Sequence, residues 1–264
     1  MKNVSLDGNG SVQIPEGVTK IEAGAFEGCT ELKSITIPKS VTKIGSSAFA
    51  KCTGLTSVTI PEGVTEIGGG AFWECVGLTS ITIPKSVTEI GVAAFFGCTG
   101  LTSITTIPGG VTIIEGSTFC GCTGLTSIPI SEGVIVIEDE AFLNCIGLTN
   151  ITIPKSVIMI GKRAFAACEG LTHITIPESV ALIREQAFSG CSRLINVTIP
   201  KSVIVIGKNP FPGCKSLKEI YFEGDAPRLD SGAFGVNSAT VYYRKGTKGW
   251  GKTFGGLPTR EIDE

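Results

Sequence analysis

The sequence predicts an α/β solenoid of about ten coils, and two observations carry that prediction. A unit of 23 residues repeats along most of the chain, and in every unit a phenylalanine stands three residues before a cysteine. A fixed period of this length is typical of solenoids, in which each repeat forms one coil and buries its apolar side only against its neighbours. The cysteines that mark the register are Cys29, Cys52, Cys75, Cys98, Cys122, Cys145, Cys168, Cys191 and Cys214.

The first part of each coil is predicted to be a β-strand. In the unit of residues 78–100, LTSITIPKSVTEIGVAAFFGCTG, Ile81 and Ile83 alternate with small polar residues. Alternation of β-branched and polar residues is typical of a half-buried strand. Pro84 then ends the strand, because proline has no N–H to donate to a sheet.

The remainder of the coil is predicted to hold a second short strand and a helical turn. Residues 87–90 form another short extended segment, after which Gly91 turns the chain. In the segment AAFFGC, Phe95 and Cys98 are three residues apart. That spacing places two side chains on one face of a helix, so we expect one helical or 3₁₀ turn with both side chains inside.

One coil departs from the period. The step from Cys98 to Cys122 is 24 residues, Thr106 is the additional residue, and a Gly-Gly pair at 109–110 replaces the usual Lys-Ser. An extra residue in one strand predicts a β-bulge or a slight bend at this coil.

The repeats and the C-terminal segment are predicted to form one continuous domain. Residues 1–214 contain the repeats, of which the first is truncated, and residues 215–264 contain the last coil and an aromatic, glycine-rich tail. The terminal coil of a solenoid leaves an open core that must be covered. The tail is therefore predicted to be a C-terminal cap.

The cysteines are predicted to form a buried column of free thiols. Residues one period apart lie on adjacent strands, roughly 5 Å apart, with parallel side chains, which is poor geometry for a disulfide. A linear column also does not converge on one point, so no metal site is predicted. Cys120 lies outside the register. It is either a reactive thiol or a chance substitution, and the second interpretation is preferred.

Composition and charge argue against several classes of function. A net charge of −2 and a pI near 5.6 give no electrostatic basis for binding nucleic acid. No apolar run approaches the ~18 residues of a membrane span, so membrane insertion is not predicted. The start, MKNVSLDGNG, lacks the apolar core of a leader, so no signal peptide is expected in this chain.

Catalysis is not predicted either. The chain has one histidine, His173, and the residues one coil away in its column are Asn150 and Asn196 rather than acids. A Ser–His–Asp arrangement therefore cannot form there. The glycine run at residues 68–70 precedes Ala-Phe instead of Lys-Ser or Lys-Thr, so it is no phosphate-binding loop. We expect no enzyme activity and no cofactor.

The repeat resembles the BspA-like (Treponema pallidum type) leucine-rich repeat, whose pattern is similar to LxxIxIPxxVxxIGxxAFxxCxx. The similarity covers residues 9–234, and the tail TVYYRKGTKGWGKTFGG resembles the closing segment of bacterial members. The resemblance implies a right-handed leucine-rich-repeat solenoid with the LTSITIP strands in a parallel sheet on the concave side. It also implies a non-enzymatic protein, secreted or on the cell surface, that binds host proteins or other cells.

The outward side chains of the first strands are the first candidate site. The N-terminal two thirds of these columns are serine and threonine, whereas the C-terminal coils carry amide, imidazole, carboxylate and phenol groups. Specific recognition depends on a few placed polar groups, so a binding site is predicted at the C-terminal end. Ordinary variation of a solvated face is the alternative. The candidate ligand-binding residues are Asn150, His173, Asn196, Glu219 and Tyr221.

An apolar stripe on the second segment is the other candidate site. Early coils read VTKI and VTEI, whereas later coils read VTII, VIVI, VIMI and VALI, so the two middle positions change from polar to apolar. At least one of them is expected to point outward, and an exposed apolar surface often marks an interface. A locally thicker core that buries the stripe is the alternative. The apolar stripe consists of Ile135, Val136, Ile158, Met159, Leu182, Ile204 and Val205.

These observations favour a non-enzymatic protein-interaction module that recognises a protein or glycan partner through the concave sheet, in adhesion or recognition. The principal alternative is a self-associating scaffold, with a homodimer formed through the apolar stripe. A more distant alternative is binding to ice or a crystal surface, because Ser-x-Thr ladders at strand spacing form a regular hydroxyl lattice.

Overall fold

The computed structural model describes residues 6–230, 234 and 238–263, and each coil stacks on the one before it. Residues 23 positions apart pair across parallel strands, for example Ile35 with Val58 and Val58 with Ile81. The inward residue of each strand is apolar, so stacking removes the apolar side of every coil from water. The described chain is thus a parallel-strand β-solenoid of about ten turns.

The first strands of the coils, joined at the C-terminal end by strands of the last segment, form two sheets, one at each end of the solenoid. Their strands are β1 (Ser11–Gln13), β3 (Ser34–Thr36), β5 (Ser57–Thr59), β7 (Ser80–Thr82), β9 (Ser103–Ile104), β14 (Asn196–Ile199), β16 (Glu219–Phe222), β18 (Thr240–Arg244), β19 (Thr253–Phe254) and β20 (Leu257–Ile262). The sheet orders are β1-β3-β5-β7-β9 and β14-β16-β18-β20-β19. Between the two sheets, isolated bridges join Thr152 to Thr175 and Thr175 to Thr198.

The second strands form another pair of parallel sheets on a different side of the coils. Their strands are β2 (Lys20–Ile21), β4 (Lys43–Ile44), β6 (Glu66–Ile67), β8 (Glu89–Ile90), β10 (Ile113–Ile114), β11 (Val136–Ile137), β12 (Met159–Ile160), β13 (Leu182–Ile183), β15 (Val205–Ile206) and β17 (Arg228–Leu229). The first four form one sheet and the last six form the other. The second residue of each strand from β2 to β15 is buried and the first is not, which confirms a strand that buries one face.

A column of stacked phenylalanine rings runs through the core. From Phe26 to Phe211, consecutive ring centroids lie 5.2–5.6 Å apart with planes within 13° of parallel. Rows of leucine, isoleucine, valine and cysteine are buried beside the rings. The core is therefore one continuous cluster, and no coil has an apolar core of its own.

The turn that carries each phenylalanine is not helical, so the predicted helical or 3₁₀ turn is wrong. No helix occurs in the described residues. Alternate N–H groups of this turn donate to the next coil, Ser47 to the Gly69 carbonyl at 2.9 Å and Phe49 to the Ala71 carbonyl at 2.8 Å. Positive φ angles at Ser47 (55°) and Lys51 (59°) also interrupt a right-handed helical path. The bonds between coils alternate with single i→i−3 bonds, such as the Ala48 N–H to the Gly45 carbonyl at 3.2 Å, so no continuous helix forms.

The coil with the additional Thr106 interrupts both kinds of sheet. Among the described residues, the regular first-strand sheet ends at β9, and only the isolated bridge from Ile107 to Ile130 pairs this coil with the next one on that side. On the other side, within the same residues, β8 does not pair with β10. The turn side is continuous, because the Phe95 N–H donates to the Thr118 carbonyl at 2.9 Å and the rings of Phe95 and Phe119 lie 5.4 Å apart. The extra residue is therefore accommodated at the strands, while the aromatic column keeps its spacing.

The C-terminal segment pairs and packs with the last coils. Strands β18 and β20 extend the first-strand sheet beyond β16. The Trp250 ring lies 4.9 Å from Phe222 and 4.7 Å from Phe254, and Phe254 lies 5.9 Å from Phe234. These rings pack against the core of the last coils, the arrangement expected of a C-terminal cap.

Replacing Phe142 with alanine tests the aromatic column. The ring is fully buried between Phe119 and Phe165, so we expect Phe142→Ala to lower the free energy of unfolding in urea by about 3–5 kcal/mol. Phe96→Ala is the matched control, because Phe96 is only half-buried on the outer side of its turn. It should cost about 1 kcal/mol or less. Equal losses for the two variants would contradict the role given to the column.

Candidate functional site

The outward side chains of the first strands form columns along one face of the solenoid. The N-terminal sheet stacks serine on serine and threonine on threonine. At the C-terminal end the same register places Asn196 beside Glu219 and Thr198 beside Tyr221. The face is thus a uniform array of hydroxyl groups at one end and chemically varied at the other.

A cleft of about 980 Å³ lies on the varied part of this face. The first strands contribute hydroxyl, imidazole and amide groups to it, and the segments that follow them contribute prolines and charged side chains. The lining residues are Glu132, Thr152, Ile153, Pro154, Lys155, His173, Ile174, Thr175, Ile176, Pro177, Glu178, Ser179, Asn196, Thr198 and Glu223. The cleft therefore extends over several successive coils.

Two smaller clefts adjoin the main one along the same face. One, of about 300 Å³, shares Thr152 with it and includes Asn150. The other, of about 200 Å³, shares Thr198 and Glu223 with it and includes Tyr221. The residues that line these three clefts together form the strand-face groove.

The structure brings four of the five candidate ligand-binding residues to the strand-face groove. His173 and Asn196 line the main cleft, Asn150 lines the N-terminal cleft and Tyr221 the C-terminal one. Glu219 lines none of the three, but its carboxylate accepts a hydrogen bond from the Tyr221 hydroxyl at 2.8 Å. That bond raises the pKa of Tyr221 above its ordinary value and orients the phenol ring.

The groove also contains residues that sequence reasoning did not single out. Pro154 and Pro177 end the first segments of their coils and line the main cleft, together with the adjacent Lys155 and Glu178. A signal was present, since a proline and a charged residue follow the first strand in most coils. The segment passes the edge of the sheet and so becomes a wall of the cleft. That path is a property of the tertiary structure.

Aromatic and charged side chains lie at the C-terminal end of the groove. Tyr242 stacks on Tyr221 with ring centroids 5.1 Å apart and planes inclined by 21°. Arg244 forms an ion pair with Glu223 at 3.3 Å, and both line the cleft that includes Tyr221. Stacked phenol rings beside an ion pair offer a flat apolar surface with hydrogen-bonding groups at its edge.

The apolar stripe lies on the second-strand side and is not buried by a thicker core. Ile135, Ile158 and Ile204 are 41%, 48% and 64% exposed. The other members are half-buried first residues of strands β11, β12, β13 and β15. Ile113, which is 37% exposed, pairs with Val136 and extends the apolar surface by one coil.

The repeat that forms both surfaces also identifies the family of the chain. The family model for the BspA type leucine rich repeat region matches in 6 copies, over residues 8–126 and 112–240. The chain belongs to the BspA-type leucine-rich-repeat family. No protein of curated function matches it.

Solved structures of bacterial leucine-rich-repeat proteins share the BspA-type solenoid of this chain. A leucine-rich-repeat protein from Bacteroides ovatus is 27% identical, with a TM-score of 0.75 over 96% of this chain and 74% of that chain. The T. pallidum leucine-rich-repeat protein is 29% identical, with a TM-score of 0.51 over 70% of this chain and 77% of that one. One from Eubacterium ventriosum, at 22% identity and a TM-score of 0.51 over 96% and 73%, shows the fold alone.

Membership of the BspA-type family sets the broad class of function. Such proteins are typically non-enzymatic, on the surface of bacteria or secreted, and leucine-rich repeats generally serve as protein-interaction modules. In the part of the chain that the structure describes, no helix is long and apolar enough to span a membrane. Within the same residues, no three His, Cys, Asp or Glu side chains are grouped so that they could hold a metal ion.

The cysteine column of this BspA-type chain is structural. Each in-register thiol after the first donates to a phenylalanine carbonyl of the preceding coil, for example Cys52 Sγ to Phe26 O at 3.0 Å. Burial raises the pKa of Cys98 and Cys168 to about 12 and that of Cys120 to about 11. Because the thiolate is the nucleophile, these thiols, including the out-of-register Cys120, are unreactive at neutral pH.

Alkaline pH should destabilise the protein through these thiols. Their folded pKa lies above that of an unfolded cysteine, so the unfolded chain loses thiol protons first once the pH passes about 8.5. The stabilisation from each thiol is complete below that pH and is lost as the pH rises toward the folded pKa of about 12. We therefore expect the urea midpoint to fall steeply above about pH 9.

A Cys98→Ala/Cys168→Ala double variant is the control for this pH dependence. Its free energy of unfolding should fall less steeply than that of the wild type, by up to about 1.4 kcal/mol per pH unit for each thiol removed. Urea titrations at several pH values between neutral and strongly alkaline measure both slopes. Identical slopes would assign the loss to other titrating groups.

Proposed function

We propose that this protein is a surface or secreted recognition module that binds a protein or glycan segment in the strand-face groove, in adhesion to another cell or matrix. The observation that carries the proposal is the main cleft of about 980 Å³. It coincides with the coils in which the outward columns change from serine and threonine to His173 and Asn196. Membership of a family of interaction modules supports it.

The lining of the main cleft suits an extended ligand with both polar and apolar groups. Thr175, His173 and Asn196 offer hydrogen-bond donors and acceptors, and Pro154 and Pro177 offer flat apolar surfaces. Pockets for small ligands measure about 300–1,000 Å³. A cleft at the upper end of that range, open on a sheet face, accommodates a short peptide or oligosaccharide segment rather than a folded domain.

The stacked phenol rings support a second point of attachment. Tyr221 and Tyr242 present ring faces that pack well against sugar rings or apolar side chains. The hydrogen bond to Glu219 orients Tyr221 before any ligand arrives. Side chains held in place before binding lose less conformational entropy when the ligand arrives, which strengthens binding.

Alanine substitution in the groove should weaken ligand binding. A phage-displayed peptide library and a glycan array, each probed with the wild-type protein, provide the ligands. For the ligands selected, we expect His173→Ala and Asn196→Ala each to raise the dissociation constant about five- to tenfold, because each removes one hydrogen-bonding group. Biolayer interferometry with immobilised ligand measures the change.

Ser57→Ala and Thr59→Ala are the matched controls for the groove variants. These two residues occupy the same outward columns in the N-terminal sheet, on β5, where no side chain lines the groove. They should leave the dissociation constant unchanged. The groove proposal is wrong if the selected ligands bind all four variants like the wild type, or if neither library yields a ligand.

A second candidate function is self-association as a scaffold, and the exposed apolar stripe favours it. Ile158 and Ile204 project from a sheet that nothing in the described chain covers, with 48% and 64% of their surfaces exposed. A contiguous apolar surface several coils long often marks an interface. The stripe shares no residue with the strand-face groove, so the two functions are compatible.

Lysine substitutions test self-association. We expect the light-scattering mass of the wild type to rise over about a hundredfold increase in concentration. Ile158→Lys and Val205→Lys should stay monomeric, because an ammonium without a partner in an apolar interface is costly. Thr65→Lys is the control, since Thr65 occupies the Ile158 column outside the stripe. A wild type that is monomeric at every concentration contradicts this function.

A further inference from the structure

We infer that the apolar stripe pairs with the stripe of a second copy of this chain, in an antiparallel two-fold arrangement centred on Met159. The inference rests on self-association, the second candidate function above. It adds the identity of the partner surface and the register in which the two copies meet.

The distribution of charge along one column of the second strands carries the inference. In coil order the first residues of these strands are Lys20, Lys43, Glu66, Glu89, Ile113, Val136, Met159, Leu182, Val205 and Arg228. Five apolar residues lie between Glu89 and Arg228, and Met159 is the middle one. Glu89 and Arg228, the charges at the two ends of the stripe, are each three coils from Met159, roughly 14 Å at ordinary strand spacing.

The irregular coil does not change this count. Glu89 and Ile113 lie on opposite sides of it, on strands that do not pair with each other. The phenylalanine rings of the same two coils, Phe95 and Phe119, keep a centroid spacing of 5.4 Å. On the turn side, the rise from coil to coil is therefore the same across the irregular coil as elsewhere, and the number of coils between Glu89 and Met159 is unchanged.

A stripe with opposite charges at equal distances from its centre is complementary to itself. A two-fold axis through Met159, perpendicular to the column, sets two facing copies antiparallel, and each column then lies on its own symmetry copy. Glu89 of one copy meets Arg228 of the other at both ends of the interface. With the solenoids parallel, Glu89 would face Glu89 and Arg228 would face Arg228, which like-charge repulsion disfavours.

The sizes of the side chains in the adjacent outward column also suit this antiparallel register. It carries Ile135, Ile158, Ala181 and Ile204, whose backbones bond in succession from coil to coil. About the same axis, Ile158 faces its own copy. Ile135, 41% exposed, faces Ala181, whose small side chain leaves room for it. The two columns are therefore complementary both in charge and in shape.

The end charges are available for pairing between copies. Glu89 and Arg228 are exposed, and neither has an ion-pair partner among the residues that the structure describes. By contrast, several charges beside the centre of the stripe are paired within the chain, as in the Lys162–Glu185 contact at 3.1 Å. Glu89 and Arg228 are therefore able to form the ion pair that the antiparallel register brings together.

The stripe is small, so the dimer is expected to be weak. The stripe covers five strands, which span roughly 24 Å, and two residues along each strand, which span roughly 7 Å. That footprint is well below the area of about 800 Å² per partner in a stable interface of standard size. We therefore expect a dissociation constant of about 10 μM to 1 mM, which sedimentation equilibrium measures directly.

Charge exchange tests the register. Glu89→Arg places arginine opposite Arg228, and Arg228→Glu places glutamate opposite Glu89, so each variant alone should dimerise at least about fivefold more weakly than the wild type at low salt. An equimolar mixture of the two variants restores both attractions in a heterodimer, and the double variant restores them in a homodimer. Both should return close to the wild-type dissociation constant.

Lys85→Glu is the matched control, because it changes the net charge as Arg228→Glu does but lies outside the second-strand column, in the coil of Glu89. It should leave the dissociation constant unchanged. A wild type that is monomeric up to millimolar concentration overturns both self-association and the register. A wild type that dimerises while both single charge variants match it leaves self-association standing and overturns the antiparallel register.

Discussion

Pairing between residues 23 positions apart is the constraint on which the rest of this structure depends. It stacks the phenylalanine rings 5.2–5.6 Å apart. It also aligns the in-register thiols so that each one after the first bonds to a carbonyl of the preceding coil. No coil has a core of its own, so the free energy of folding comes from contacts between neighbouring coils. The same pairing converts single sequence positions into long columns on the surface. Any function of the solenoid is therefore a property of columns rather than of isolated residues.

The two surfaces of functional interest lie largely beyond the coil that contains Thr106. In the N-terminal coils, threonine hydroxyls of the second strands bond to the coil before, as Thr65 Oγ1 does to the Thr42 carbonyl at 3.3 Å. In the C-terminal coils Ile135, Ile158, Ala181 and Ile204 occupy that column, and on the other face histidine and asparagine replace serine. One half of the solenoid is thus a uniform framework, and the other half carries both the strand-face groove and the apolar stripe.

The groove and the stripe are built from different segments of the same coils. The groove uses the first strands and the prolines after them, whereas the stripe uses the second strands, and no residue belongs to both. Pairing of two copies through the stripe would leave both grooves free of that interface. Two weak grooves on one dimer raise the effective affinity for a partner that displays repeated ligands, without any new contact. A weak dimer and a shallow groove would then support the same recognition function.

The amino-acid sequence by itself determined the solenoid, its coil length, the two strands of each coil, the buried cysteine and phenylalanine rows, and the columns that carry His173, Asn196 and Ile158. It could do so because a strict period makes every side chain's neighbours calculable from position alone. Only the tertiary structure decided that the phenylalanine turn is not helical, since bonds to the next coil compete with bonds along the chain. It also decided that Pro154 and Pro177 form part of a cleft, and that Tyr242 stacks on Tyr221 from a segment outside the repeat. These features depend on where the chain travels between coils, and periodicity carries no information about that path.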